Sequence, residues 1–234
     1  MTDANFPPLF NGYASAGDDP LALACNAAQG GTEAGLVIHD AGPDSLRAAV
    51  VFAPEVPLRE AAIMLPLCGL GFQNALGVLA PPVVAIHLGW DGAIYVNGGR
   101  CGQLTMIAST DDPDIVPDWL VIGLHLDLTP LGDDGGTDPD RTALYAEGCG
   151  DVAAPDLLAA WLRHSLSWLD TWDNQGTAPL HREWSGLVHG LNETVTLAGQ
   201  TGTLLGTDEH LNALLKSGDT TTLIPLTRLL KDAP

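Results

Sequence analysis

Positive charge is scarce in this chain. Nine Lys and Arg side chains stand against 29 Asp and Glu among 234 residues, a formal net charge of −20 and a pI near 4.2. The only lysines are Lys216 and Lys231, and upstream of Cys149 the only arginines are Arg47, Arg59, Arg100 and Arg141. Such a surface excludes nucleic acid, whose phosphates demand a basic footprint, and it repels an anionic membrane. Cysteine is also sparse. Cys25, Cys68, Cys101 and Cys149 are far apart and form no C-x-x-C pair, so neither a disulfide framework nor a metal ribbon is expected. Seven scattered histidines make no HExxH-type set, and no structural metal is expected. No signal peptide or membrane-spanning run is read, so the expectation is a cytoplasmic protein with reduced, buried thiols.

What is present suits a globular, turn-rich domain. Apolar residues make up 46% of the chain and mean hydropathy is +0.15, ample for a core, while 27 glycines and 17 prolines punctuate it. The length fits one large domain, or one with a small appendage. The organising stretch is His87 to Leu104, HLGWDGAIYVNGGRCGQL. Ile94, Tyr95 and Val96 are strand formers, and Asn97-Gly98 is a strong hairpin signal because both residues accept positive φ.

Further elements follow in order. The proline- and glycine-rich opening, NFPPLFNGYASAGDDP, reads as extended surface chain. Asp19 caps a helix from Pro20 to about Gln29, with proline at its first position. Strands at Gly35–His39 and Ala48–Ala53 are joined by DAGPDSLR, in which Arg47 reads as a solvated loop residue. Residues 57–80 form a long, nearly all-round apolar helix, with a kink expected near Pro66 and Gly69. Val83–Leu88 leads into the hairpin, and Asp111–Asp118 is an acidic loop lacking the glycine and terminal Glu of an EF-hand. Trp119–Leu128 is a strand. Residues 155–173 form an amphipathic helix whose Trp161, Trp168 and Trp172 stripe reads as core. From Glu193 short strands recur: TVTL, TGTLLG, LNALLK and TTTLIPL.

Two of these stretches carry a family resemblance. Trp90, Tyr95, Asn97, Gly98, Arg100 and Gly102 fall into the register of the strand, Lys-Trp-Pro-Asn-Asp, strand and Gly-x-Lys pattern of biotin protein ligases. Gly89 stands at the motif lysine, and Asp91-Gly92-Ala93 at Pro-Asn-Asp. In WLVIGLHLDL, Gly123, Leu126 and Asp127 match the Gly-x-Gly-x-Asn strand, with His125 at its second glycine. Thr142-Ala143-Leu144 is similar to the Thr-Ser-Leu that follows that strand, and Gly176, Leu180 and Trp184 to the family's closing pattern. The chain thus resembles a divergent, uncharacterised bacterial branch of the biotin/lipoate A/B protein ligase superfamily.

The resemblance implies an α+β fold: a ligase-like domain with a mixed or antiparallel sheet over residues 1–190, and a small SH3-like β-barrel over 191–234. It implies ligand-binding roles for Trp90, Gly92, Arg100, Gly102, Gly123, His125 and Asp127 around one pocket. It implies biotin and ATP with Mg²⁺ as cofactors, and a biotin-carrier domain and a small carboxylate as partners; a homodimer is compatible with it. The enzyme reading is a ligase that passes biotin or lipoate to a carrier lysine through an acyl-adenylate. The alternative is a non-catalytic binding module that keeps a biotin-type pocket. A third reading, a thioester-using acyltransferase of the lipoyl/octanoyl branch, needs a cysteine-lysine pair, and no lysine lies near Cys101 or Cys149. The glycine at the lysine position and the short acidic DAGPDSLR junction, where the family has an arginine-rich loop, point to absent or slow adenylation.

Overall fold

The computed structural model describes residues 6–130 and 140–234. Strands β1 (Asn11–Ala14), β2 (Leu36–Ala41), β3 (Ser45–Phe52), β4 (Ile86–Leu88), β5 (Ala93–Val96), β6 (Gly99–Ala108) and β7 (Leu120–Asp127) form one seven-stranded sheet, ordered β1-β2-β3-β7-β6-β5-β4. Only β1 and β2 run parallel. The rest is antiparallel, with β7 placed between β3, paired along its whole length, and β6, paired from Gly102 to Ala108. The sheet is therefore mixed, as the resemblance implied.

Side-chain alternation along the strands sorts residues onto two faces. Ala48 and Val50 of β3, Leu104 and Met106 of β6, and Ile122, Leu124 and Leu126 of β7 join the large core. That core is closed by α3 (Met64–Leu79) and α4 (Ala154–Gln175). On the other face, Ala49, Val51, Ile107 and Val121 pack beneath Ala24, Cys25 and Ala28 of α1 (Pro20–Gln29). The expected 57–80 helix is two pieces, α2 (Leu58–Ala61) and α3, broken at Ala62–Ile63 by tighter bonds such as Leu65 N–H to Ala62 O. Pro66 causes no kink, because it lies in the first turn of α3, where N–H groups lack helical partners anyway. The Leu58–Leu79 stretch has the length and hydropathy of a membrane span, yet 72% of that window is buried inside the protein, and it serves as the core helix.

The opening segment, expected as extended surface chain, contributes the exposed edge strand β1. After β7 an irregular turn, Tyr145–Cys149, leads into α4 and then α5 (Ala178–Ser185). Strands β8 (Thr194–Leu197), β9 (Gln200–Thr207), β10 (Ala213–Ser217) and β11 (Thr220–Ile224) form the expected small C-terminal β unit, a four-stranded antiparallel meander. Leu204, Leu215 and Ile224 belong to the same buried cluster as the main sheet. The unit is also tied down by Trp90 Nε1–H donating to Leu211 O (2.8 Å) and by Lys231 N–H donating to Met106 O (3.0 Å).

Candidate functional site

The face of the sheet under α1 is only partly covered. Asp19 caps α1, its carboxylate accepting from the Leu21 and Ala22 amides at 3.4 and 3.3 Å. Beyond this first turn the sheet lies open. Register places Asp40 beside Arg47, Arg47 beside His125, and His125 beside Gln103, one polar row across β2, β3, β7 and β6. The next row inward is Ala49, Gly123 and Thr105. Between these rows and α1 lies a cavity with about 330 Å³ of open space, lined by Asp19, Leu21, Arg47, Thr105, Gly123 and His125. Part of that space opens to solvent; the volume open to a water-sized molecule is about 80 Å³, room for the head of a ligand rather than the whole of it.

The charges of this site are already committed. Arg47 is ion-paired with Asp40. Asp127, 7% exposed, binds His125 Nε2 through Oδ1 (3.1 Å) and accepts from Arg141 Nη2 through Oδ2 (3.0 Å). This contact turns the imidazole and leaves its Nδ1 for a ligand. Arg100 donates to Gln103 Oε1, while Gln103 Nε2 donates to the Asp91 and Leu104 carbonyls at 2.7 and 2.6 Å. Cys101 Sγ lies 3.5 Å from Asp127 O. Burial first, then the charge of Asp127, pushes that thiol up to about 12, and Cys149 is raised for the same leading reason. Both shifts disfavour the thiolate.

The seven residues expected around one pocket separate into groups. Gly123 and His125 line the cavity, and Asp127 positions His125 from below. Arg100 lies outside the cavity, bonded to Gln103, the cross-strand neighbour of His125, and Gly92 lines the core-side space of Trp90 instead. Gly92 has φ +87°, and a Cβ there would lie 2.5 Å from Leu104 O, so only glycine fits this turn. A Cβ at Gly102 would lie 2.5 Å from His125 O, which makes that glycine a strand-packing residue. Trp90 turns away from the cavity. Its side chain is 2% exposed and lines a small enclosed space with Leu65, Leu104 and Trp184 on the core side, its indole held by Leu211. Thr142 and Leu144 hydrogen-bond to Arg100 O and Asp127 O, so the Thr-Ala-Leu segment borders the same end of the sheet.

Sequence reasoning missed Asp19, Leu21, Arg47 and Thr105 as lining residues. Arg47 was expected in a solvated loop, but β3 begins at Ser45 and places it within the sheet. The available signal was the alternation in SLRAAVVF, which extends the strand two residues before Arg47. At Gly89, the motif lysine position, a Cβ would lie 2.5 Å from Asp91 Oδ1 and 3.0 Å from Ala93 Cβ. The turn is built around the missing side chain.

Nucleoside triphosphate does not fit this donor set. Arg47, Arg100 and Arg141 each have a partner, the α1 N-terminal amides are taken by Asp19, and both lysines lie in the C-terminal segment. Among the described residues no group of three or more His, Cys, Asp or Glu side chains is arranged to hold a metal ion.

Comparison with known proteins gives a consistent frame. Residues 6–186 match the biotin/lipoate A/B protein ligase family, and residues 191–232 match a domain of unknown function, DUF4444. The biotin--[acetyl-CoA-carboxylase] ligase of Paracoccus denitrificans is 25% identical over 160 residues, 66% of this chain; the match spans 64% of that relative's length. A biotin protein ligase-like protein of unknown function from Silicibacter sp. TM1040 is 58% identical with a TM-score of 0.93, covering 98% of this chain and 100% of that one. The Aquifex aeolicus biotin protein ligase in complex with biotin and ATP shares the fold at 16% identity, with a TM-score of 0.69 over 92% of this chain and 94% of that one.

Proposed function

We propose a function from one premise: this chain belongs to the biotin/lipoate A/B protein ligase family. Within that family we read it as a binding module that holds a small biotin-type ligand and does not adenylate it. The carrying observation is the cavity between α1 and the Arg47–His125 row, whose wall is mainly apolar with a few polar groups, while the guanidinium groups of Arg47, Arg100 and Arg141 are engaged.

The chemistry of the wall selects the ligand. Asp19 accepts hydrogen bonds, while Thr105 and the Nδ1 of His125 serve a polar head. Leu21, Gly123 and Leu124 offer apolar contact. A neutral head with both donors and acceptors on an apolar body suits this balance, as in a cyclic urea with an alkyl chain. Adenylation asks for more: preorganised positive charge against the developing phosphate charge, each such contact contributing on the order of 10²- to 10³-fold in rate. The full ligase reading, with a carrier-protein lysine as acceptor and a cytoplasmic setting, is the runner-up.

The test is calorimetric titration with biotin, lipoate and a non-hydrolysable biotinyl-adenylate analogue. Saturable binding of biotin or lipoate, lost in Gly123→Val and little improved by the adenylate moiety, supports the reading. A large gain from that moiety would reverse it in favour of the ligase.

A further inference from the structure

A second concavity, sharing no lining residue with the α1 cavity, holds about 1380 Å³ of open space between the chain leaving β3, α2, the start of α3 and the last turns of α4. Its floor includes Phe52, Val56, Leu166, Leu169 and Trp172, all half-buried against the core. Its rim is acidic: Glu55 and Glu60 on one bank, Asp170 and Asp173 on the other. Glu60 lies 3.9 Å from Arg59, which is committed to Asp114. Asp170 receives only the Asn174 amide, at 3.1 and 2.8 Å on its carboxylate and carbonyl. Among the described residues no Lys or Arg lines the groove.

We propose that this groove receives an amphipathic helix of a partner protein, with an apolar stripe on the floor and flanking lysines or arginines against the two acidic banks. Charge complementarity selects the cation, because rim carboxylates on a chain of net charge −20 repel acidic peptides and anionic lipid. The floor selects an apolar stripe, the usual pattern of helix-in-groove recognition. An extended peptide is disfavoured, since β3 is paired on both sides and no free strand edge borders the groove. Trp172, Leu169 and Val56 on the floor supply the apolar anchors.

The probe is a synthetic amphipathic helix of about five turns, leucine on one stripe and lysine on its flanks, titrated at about 0.15 M salt with Trp fluorescence and calorimetry. One-to-one binding is expected, weakened about tenfold by Glu55→Gln/Asp170→Asn/Asp173→Asn, since three surface ion contacts are removed. Glu209→Gln/Asp219→Asn/Asp232→Asn removes the same charge from exposed sites elsewhere and should change the affinity less than twofold. Val56→Asn should weaken binding with all carboxylates intact. Equal weakening by both charge triples would overturn the proposal, leaving non-specific attraction. So would equal binding of a helix with glutamate in place of lysine, or no binding up to about 1 mM. Biotin plays no part in the readout.

Discussion

Two glycines on α3 should respond to alanine with opposite signs. Helix α3 crosses α4 where Gly71 meets Ser165. A Cβ on Gly71 would lie 2.4 Å from Ser165 Oγ, 2.8 Å from its N and 2.9 Å from its Cα. The hydroxyl can rotate, but the backbone atoms cannot, so α4 must shift. Such overpacking costs about 1–3 kcal/mol, against about 1 kcal/mol gained from helix propensity. At Gly77, two turns on, a Cβ would meet only Gln73 Nε2, at 3.9 Å, and the position is exposed. There the propensity gain stands alone. Thermal unfolding followed by circular dichroism reads both, at about 2–4 °C per kcal/mol for a chain of this size. Gly77→Ala should melt about 2–4 °C higher than the parent and Gly71→Ala a few degrees lower. A Gly71→Ala protein stabilised as much as Gly77→Ala would refute the close approach of α3 and α4.

Trp90→Phe removes the indole donor to Leu211 O and should destabilise by about 1–3 kcal/mol, since the carbonyl is left without it; faster proteolysis within residues 191–232 checks it. Asp127→Ala leaves His125 and Arg141 unpaired, but both are half exposed and regain water, so the loss should be about 1–2 kcal/mol in chemical denaturation, with weaker ligand binding. Burial lowers the pKa of His39 below 6.5, and that of His164 likewise. The unfolded chain then binds more protons below 6.5, so stability should fall with pH there, which a melting series checks. Burial raises Cys25 to about 11 and Cys68 to about 12 from 9.0. The unfolded chain ionises first, so stability should also fall as pH climbs above 9.0, and the native thiols should resist a thiol reagent that modifies them in urea.

The family and most elements were legible because their signals are local. Asn97 and Gly98 have φ of 50° and 91°, as the hairpin dipeptide predicts. Asp19 caps α1 as its sequence position indicates. The long helix was legible in type but not in its break, because Ala62 and Ile63 carry no breaker residue. The edge strand β1 was hidden since all four residues are exposed and no alternation marks them. The candidate site was harder to read. Its polar row joins Asp40, Arg47, His125 and Gln103 from four strands, and only the sheet order brings them together. Trp90 carries the family pattern but serves the contact with the C-terminal unit, a use that no local feature of the turn discloses.

The central claim, binding without activation, is tested most directly by pyrophosphate–ATP exchange with biotin and Mg²⁺, run beside an active biotin ligase. With Arg47, Arg100 and Arg141 all engaged and glycine at position 89, exchange should stay at the no-enzyme background across the saturating range of biotin. Exchange at a rate comparable to the active ligase would contradict the account.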